Sequence, residues 1–312
     1  MNNDYELMVK TYEDAGGAPS ALADSKIAHL VVHKNQVLGS HLVEGLHMEA
    51  RQTEDGVDID LSVDPGVKLE KPVHLCFGVL PAEGRQQIKM NALIHEGASI
   101  NILAHCVFPN AVKVQHLMEG GIILEDNASF NYDEHHYHGL TGGIEVVPRI
   151  DIKVGKGAHL NLSFSLLKGR VGKLDVDYSA EVEENGSVEM ITKAYGYGDD
   201  EIKVRERSRL KGRGAKGLLL SRIAVREKAV SEVVSELEAA APDCRGHVDC
   251  VEIVQDQARA RAIPLVDVLD ERAQVTHEAA IGRVNQKEIE TLMARGLDQE
   301  EALNTIIAGM LK

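Results

Sequence analysis

EGASINI at 96–102, DNASFNY at 126–132, KGAHLNL at 156–162 and NGSVEM at 185–190 are four versions of one phrase. Each joins a turn-forming Gly or Asn to a run in which apolar and polar residues alternate. The turn residues at 97, 127, 157 and 186 are spaced by 30, 30 and 29, and weaker versions extend the series to Gly66 and Gly214. Gly and Asn suit corners that need a positive φ. A period of about 30 residues made of strands and corners predicts stacked coils, because one coil cannot bury its apolar row alone. Hairpins in a sandwich can supply similar turns by chance, but four in step favour a mainly β fold, a β-solenoid.

Outward from the repeat, alternating runs at 28–32, 37–42 and 57–63 predict further strands. Residues 4–14 predict one short helix, stopped by Gly16, Gly17 and Pro19, so 1–25 forms an N-terminal helical segment. The solenoid core spans 26–283. Within it, apolar residues at 229, 230, 233, 234 and 237 follow a helical spacing ended by Pro242, which predicts a helical insertion over 229–241. A C-terminal helical region occupies 284–312. Asn285 with Glu288 caps one helix, with Ile289, Leu292 and Met293 on one face and Gly296 at its end. Asp298 with Glu301 caps a second, whose stripe is Leu303, Ile306, Ile307 and Met310. Helices of about ten residues do not stand alone in water, so these stripes dock on the chain's own β core or on a partner, the former being the commoner outcome.

The 312 residues carry a formal charge of −15, which repels phosphate backbones and disfavours nucleic acid as a partner. Hydrophobic residues make up 44%, with no Trp and only four Phe, so the core must be aliphatic. Cys76, Cys106, Cys244 and Cys250 are too few and scattered for a disulfide framework. Met1–Lys10 is polar, and no apolar run reaches the roughly 20 residues that span a bilayer. These features predict a cytoplasmic protein with reduced thiols.

There is no nucleotide-binding loop, nucleophile elbow, HExxH or CxxC. The densest polar cluster is DEHHYH at 133–138. On a strand Glu134, His136 and His138 share one face, a carboxylate and two imidazoles suited to Fe or Zn; the bland alternative is a solvent-facing polar strip. His95, His105 and His116 read as ordinary surface or packed histidines. In GHVDCVEI at 246–253, Val248, Cys250 and Glu252 share a face. If the next coil carries His277 and Glu278, a thiolate, an imidazole and a carboxylate can converge. One thiol per chain cannot hold an iron–sulfur cluster, so such a site needs two chains or a partner. An inert buried cysteine is the competing reading.

GHVDC at 246–250, AIP at 262–264, THEAAIG at 276–282, LMARG at 292–296 and EA at 301–302 with IAG at 307–309 resemble the C-terminal half of the SufB/SufD family, scaffolds of the SUF iron–sulfur cluster machinery. The resemblance runs from about residue 60 to the end, and is nearest to the compact archaeal version. It implies a right-handed parallel β-helix with a C-terminal helical region that binds a SufC-type ABC ATPase. Ile289, Leu292, Met293, Arg295, Leu303, Ile306 and Ile307 then become partner-binding candidates. It also implies pairing of two scaffold subunits through their last coils, as a homodimer or with a paralogue, with Cys250, His277 and Glu278 at the junction. The chain departs from the pattern at Thr276, where SufB commonly has Glu, and neither Cys76 nor Cys106 matches the family's sulfur-accepting cysteine.

The function so implied is a scaffold that is not itself an enzyme. A transient iron–sulfur cluster forms on it for transfer to apoproteins, and ATP hydrolysis resides on the partner. Two other readings compete: a metal-dependent β-helix enzyme using Glu134, His136 and His138 on an acidic or sugar substrate, and a cluster-free structural adaptor of an ATPase.

Overall fold

A computed structural model describes residues 3–311. Helix α1 (Asn3–Asp14) is followed by a short 3-10 turn at Pro19–Leu22. Strands β1 (His29–His33), β2 (Gln36–His41), β3 (Leu46–Gln52) and β4 (Gly56–Val63) begin the β structure. The coils continue through β5 (Val73–Gly78), β6 (Glu83–Ile94), β7 (Ser99–Phe108), β8 (Lys113–Leu124), β9 (Ser129–His138) and β10 (Ile144–Val154). Next come β11 (His159–Lys168), β12 (Lys173–Val182), β13 (Ser187–Gly196), β14 (Glu201–Leu210) and β15 (Lys216–Val225). The last coils are β16 (Val230–Ala239), β17 (Arg245–Val254), β18 (Arg259–Val268) and β19 (Gln274–Gly282), before helices α2 (Gln286–Met293) and α3 (Gln299–Met310).

From β4 onward successive strands fall alternately into two sheets, one ending in β19 and the other in β18. The coil-to-coil pairings are parallel; only β1 with β2 and β3 with β4 are antiparallel. This is the β-solenoid that the repeat predicts. Within each coil every second residue points inward, and rows such as Ile100, Phe130, Leu160 and Val188 stack into one continuous core. That is why a coil without neighbours would leave its apolar row in water.

The corners explain the Gly and Asn of the repeat. Gly66, Gly97, Asn127, Gly157, Asn185 and Gly214 all have φ between 55° and 73°. That backbone turns each N–H towards the carbonyl of the next coil. Gly97 donates to Asp126 at 3.0 Å, Asn127 to Lys156 at 2.8 Å and Gly157 to Glu184 at 2.9 Å. In the fourth repeat the positive φ falls on Asn185 rather than on Gly186, and Asp243 adds a corner that the repeat did not reveal.

One expected element is absent. Residues 230–239 form strand β16, paired with β14 and β18, not a helical insertion over 229–241. The inward row is Ser231, Val233, Ser235, Leu237 and Ala239. Two interior serines hide the apolar alternation, and the outward Val230 and Val234 complete a false helical spacing. Stacking on neighbouring strands outweighs that local pattern.

The helices at the two ends lie on the outside of the solenoid. α1 buries Met8 and Tyr12 against Val31, Cys76 and Val107. The end caps of α2 and α3 form as the sequence predicts: the Asn285 side chain accepts from Lys287 N, and Asp298 and Glu301 complete a capping box. α3 packs Ile307 and Leu311 against Ala224 and Ile253, and Tyr195 donates to Asn304 at 3.0 Å. No helix among the described residues is long and apolar enough to cross a membrane.

Candidate functional site

Two polar chambers interrupt the aliphatic interior. The first lies in the later coils around Cys250. On β17 the inward residues are Val248, Cys250 and Glu252, all buried. Ser221 pairs with Cys250 on the neighbouring strand. Ser235, from the opposite sheet, places its Oγ 3.6 Å from Cys250 Sγ. Ser231 donates to Glu252 Oε2 and Thr192 donates to Glu206 Oε1, each at 2.6 Å. Glu206 Oε2, Glu252 Oε1 and Ser208 Oγ have no partner. Burial raises the Glu206 carboxyl to about 7 and pushes Glu252 and the Cys250 thiol upward. Cys250 thus points inward, but into a layer lined with hydroxyls and carboxyls.

β19 lies directly above β17 and ends its sheet. Its register sets Ala279 over Cys250, His277 over Val248 and Glu278 over Asp249. His277 therefore shares the inward parity with Cys250, whereas Glu278 has the outward parity of Asp249, which pairs with Arg222 at 2.5 Å. His277 and Glu278 are both exposed. Within one chain the structure brings Cys250 and His277 to one face of adjacent strands, and sets Glu278 on the other.

The second chamber lies in the early coils. Glu134, His136 and His138 all point inward from β9, as alternation predicts, and all are buried. A solvent-facing strip is excluded, and so is a substrate site, which needs an opening that these enclosed side chains lack. The three do not form a ligand set by themselves, because His138 is committed elsewhere. Its Nδ1 must donate to the Arg170 carbonyl at 2.9 Å, since a carbonyl only accepts. Neutral His138 then presents the bare Nε2 to His136 Nδ1 at 3.2 Å, and His136 donates there. His136 Nε2 is left as a lone pair 2.6 Å from Glu134 Oε1.

Burial holds His136 and His138 neutral, each lowered to about 3, and raises Glu134, so the carboxylic acid donates to His136. Cys106, inward on β7, lies 3.8 Å from the same Glu134 oxygen. His116 completes the cluster from β8 in the facing sheet. It too is buried, the packed alternative rather than the surface one, and burial lowers it to about 3. Sequence reasoning missed His116, Glu206 and the interior serines. The available signal was parity: His116 falls between inward Val114 and Met118, and Glu206 between inward Val204 and Ser208.

The C-terminal candidates divide by burial. Ile289 and Ile307 are buried within the chain; Ile307 packs against Ala224 and Ile253 of the solenoid, and helix α2, which carries Ile289, packs on α3. Leu292, Leu303 and Ile306 are half-buried, and Met293 and Arg295 are exposed.

A profile described as the SufBD core domain of SUF system FeS cluster assembly matches residues 253–310. The chain is 34% identical to an iron–sulfur cluster assembly SufBD family protein of Methanocaldococcus jannaschii, over 94% of this chain and 93% of that one. It is 33% identical to a SufBD family protein of Pyrococcus horikoshii, over 99% and 94%. A shorter stretch, 23% of the chain, is 27% identical to the iron–sulfur cluster assembly protein SufB of Bacillus subtilis.

Proposed function

The chain belongs to the SufBD family of iron–sulfur cluster assembly proteins, and from that premise we propose that its last two coils are the seat of a nascent cluster shared between two scaffold subunits. The observation that carries this reading is the open end of the solenoid. Both sheets stop there with an unpaired edge, β18 in one and β19 in the other. Unpaired edges invite a further strand from another chain. Leu265, Val268, Leu269 and Ile281 are exposed at the same end, as a surface awaiting a partner would be. A second copy, or a paralogue, pairing edge to edge would bring two His277 residues together on the face of two Cys250 thiols, with two Glu278 carboxylates at the same seam on the opposite face. Thiolates with imidazole or carboxylate ligands hold a cluster less permanently than four thiolates, which suits a product to be handed to apoproteins.

Cys250 lies one coil below the open end, under Ala279, so the last coil must shift for the thiol to act. Only residues 283–285 separate β19 from α2. A SufC-type ABC ATPase gripping the exposed parts of α2, α3 and the link between them, among them Met293 and Arg295, would pull on β19 directly. ATP hydrolysis belongs to that partner, and the chain acts as scaffold. The test is anaerobic reconstitution of the complex with the ATPase, with iron and sulfide counted per scaffold chain. Cys250→Ala and a His277→Ala/Glu278→Ala double variant are expected to lose the visible cluster absorption while keeping the ATPase bound. Wild-type iron and sulfide in Cys250→Ala would end the proposal.

A further inference from the structure

We propose that Cys106, His116, His136 and Glu134 form an interior metal centre that holds one divalent transition-metal ion in the early coils. This site is separate from the one proposed at the open end. Cys106 on β7 and Cys250 on β17 lie five strand spacings apart, about 24 Å at about 4.8 Å per strand. The inference does not depend on the assembly reading.

Three observations carry it. First, Cys106, His116 and His136 each offer a ligand atom, and these atoms all lie within 4.8 Å of one another. Ligand atoms around a tetrahedral ion, with bonds of about 2.0–2.3 Å, sit about 3.3–3.6 Å apart, a closure that side-chain rotation supplies. Second, both ring nitrogens of His116 and Glu134 Oε2 are enclosed without a hydrogen-bond partner. A buried imidazole with neither nitrogen satisfied is costly, and interiors rarely keep one without a compensating ligand. Third, the hydrogen bonds orient the remaining ligand. The relay from the Arg170 carbonyl through His138 fixes the tautomer of His136 and directs its Nε2 lone pair into the cluster. Metal-ligating histidines are commonly held by such an outer hydrogen bond, which makes His138 a positioning residue.

The donor set selects the ion. One sulfur, two imidazole nitrogens and one carboxylate oxygen suit Zn(II) or Fe(II), not Mg(II) or Ca(II), which take oxygen ligands. Charge agrees as well. A thiolate and a carboxylate together balance the charge of one divalent ion. A net-neutral centre is what a low-dielectric interior tolerates. Because all four side chains are buried, the ion would be loaded as the coils close during folding.

The full-length protein would be produced in cells grown in minimal medium with added Co(II), and in parallel with Zn(II) or Fe(II). It would be purified anaerobically and assayed for metal by mass spectrometry. About one ion per chain is expected to survive a chelator wash, and the Co(II) form should show a thiolate-to-cobalt charge-transfer band with tetrahedral visible bands. Cys250→Ala is expected to keep both metal and band, which separates this site from the cluster proposal. Cys106→Ser should abolish the charge-transfer band, and His116→Gln should lower retained metal by at least about tenfold. If a variant fails to fold, the wild-type spectrum against Cys250→Ala still decides. A wild-type protein without chelator-resistant metal, or a band that follows Cys250 rather than Cys106, overturns the proposal.

Discussion

Replacing Glu206 by Gln probes the polar chamber of the later coils most directly. The Glu206 carboxyl is enclosed, and burial raises it from 4.5 to about 7 against the opposing hydrogen bond from Thr192. The folded chain therefore keeps a proton that the unfolded chain releases above 4.5. The stability associated with the neutral acid is complete below that value and is lost as the pH climbs to about 7. An interval of about 2.5 units at about 1.4 kcal/mol each makes the full loss about 3.4 kcal/mol, of which about 2.5 kcal/mol falls between pH 5 and pH 8. Gln cannot ionise, and its carbonyl still accepts from Thr192. Its unpartnered amide group costs the same at both pH values and cancels, as do Glu134 and Glu252, which are present in both proteins. Glu206→Gln should thus gain about 2.5 kcal/mol on wild type between pH 5 and pH 8. Urea unfolding followed by far-ultraviolet circular dichroism at the two pH values measures it. Parallel behaviour of the two proteins would refute the claim that this carboxyl is buried and neutral.

Ile307→Ala should cost about 2–5 kcal/mol at the seat of α3, seen as faster amide exchange over 299–310 with the sheets unchanged; uniform exchange changes would contradict the docking. At the corner of φ 58°, Asn127→Ala should cost about 1–2 kcal/mol, whereas Asn127→Gly leaves the melting temperature nearly unchanged. All four thiols are buried, and burial raises Cys76 to about 12. None should react with a thiol reagent at pH 8 in the isolated native chain, and all four should in denaturant; prompt reaction of Cys250 would mean that the last coil is already open.

Much of the solenoid was legible because its determinants are local and recur. Glycine and asparagine at 97, 127 and 157 mark corners that only a positive φ satisfies, and alternation marks the strands between them. The capped helices at the C-terminus were legible for the same reason, since Asn285 and Asp298 act on amides two or three residues away. The reading failed at β16, where Ser231 and Ser235 stand in the inward row. Those serines face Glu252 and Cys250, so the polarity that hid the strand belongs to the chamber around the candidate thiol.

The sites were legible only as residue types. Sequence spacing placed Glu134, His136 and His138 on one face but could not show that the face is interior, that Arg170 claims His138, or that Cys106 and His116 arrive from two other strands. Spacing favoured docking of the C-terminal stripes on the chain's own core, which holds for Ile307, whereas the family resemblance had made it a partner candidate.

Period, corner chemistry and end caps are short-range properties, so the amino-acid sequence by itself determined that coils of about 30 residues stack and where the terminal helices begin. Which carboxyls, thiols and imidazoles meet inside the stack depends on register between strands some thirty residues apart and on the closure of two sheets over one interior. Those are contacts between distant parts of the chain, and the tertiary structure alone decided them.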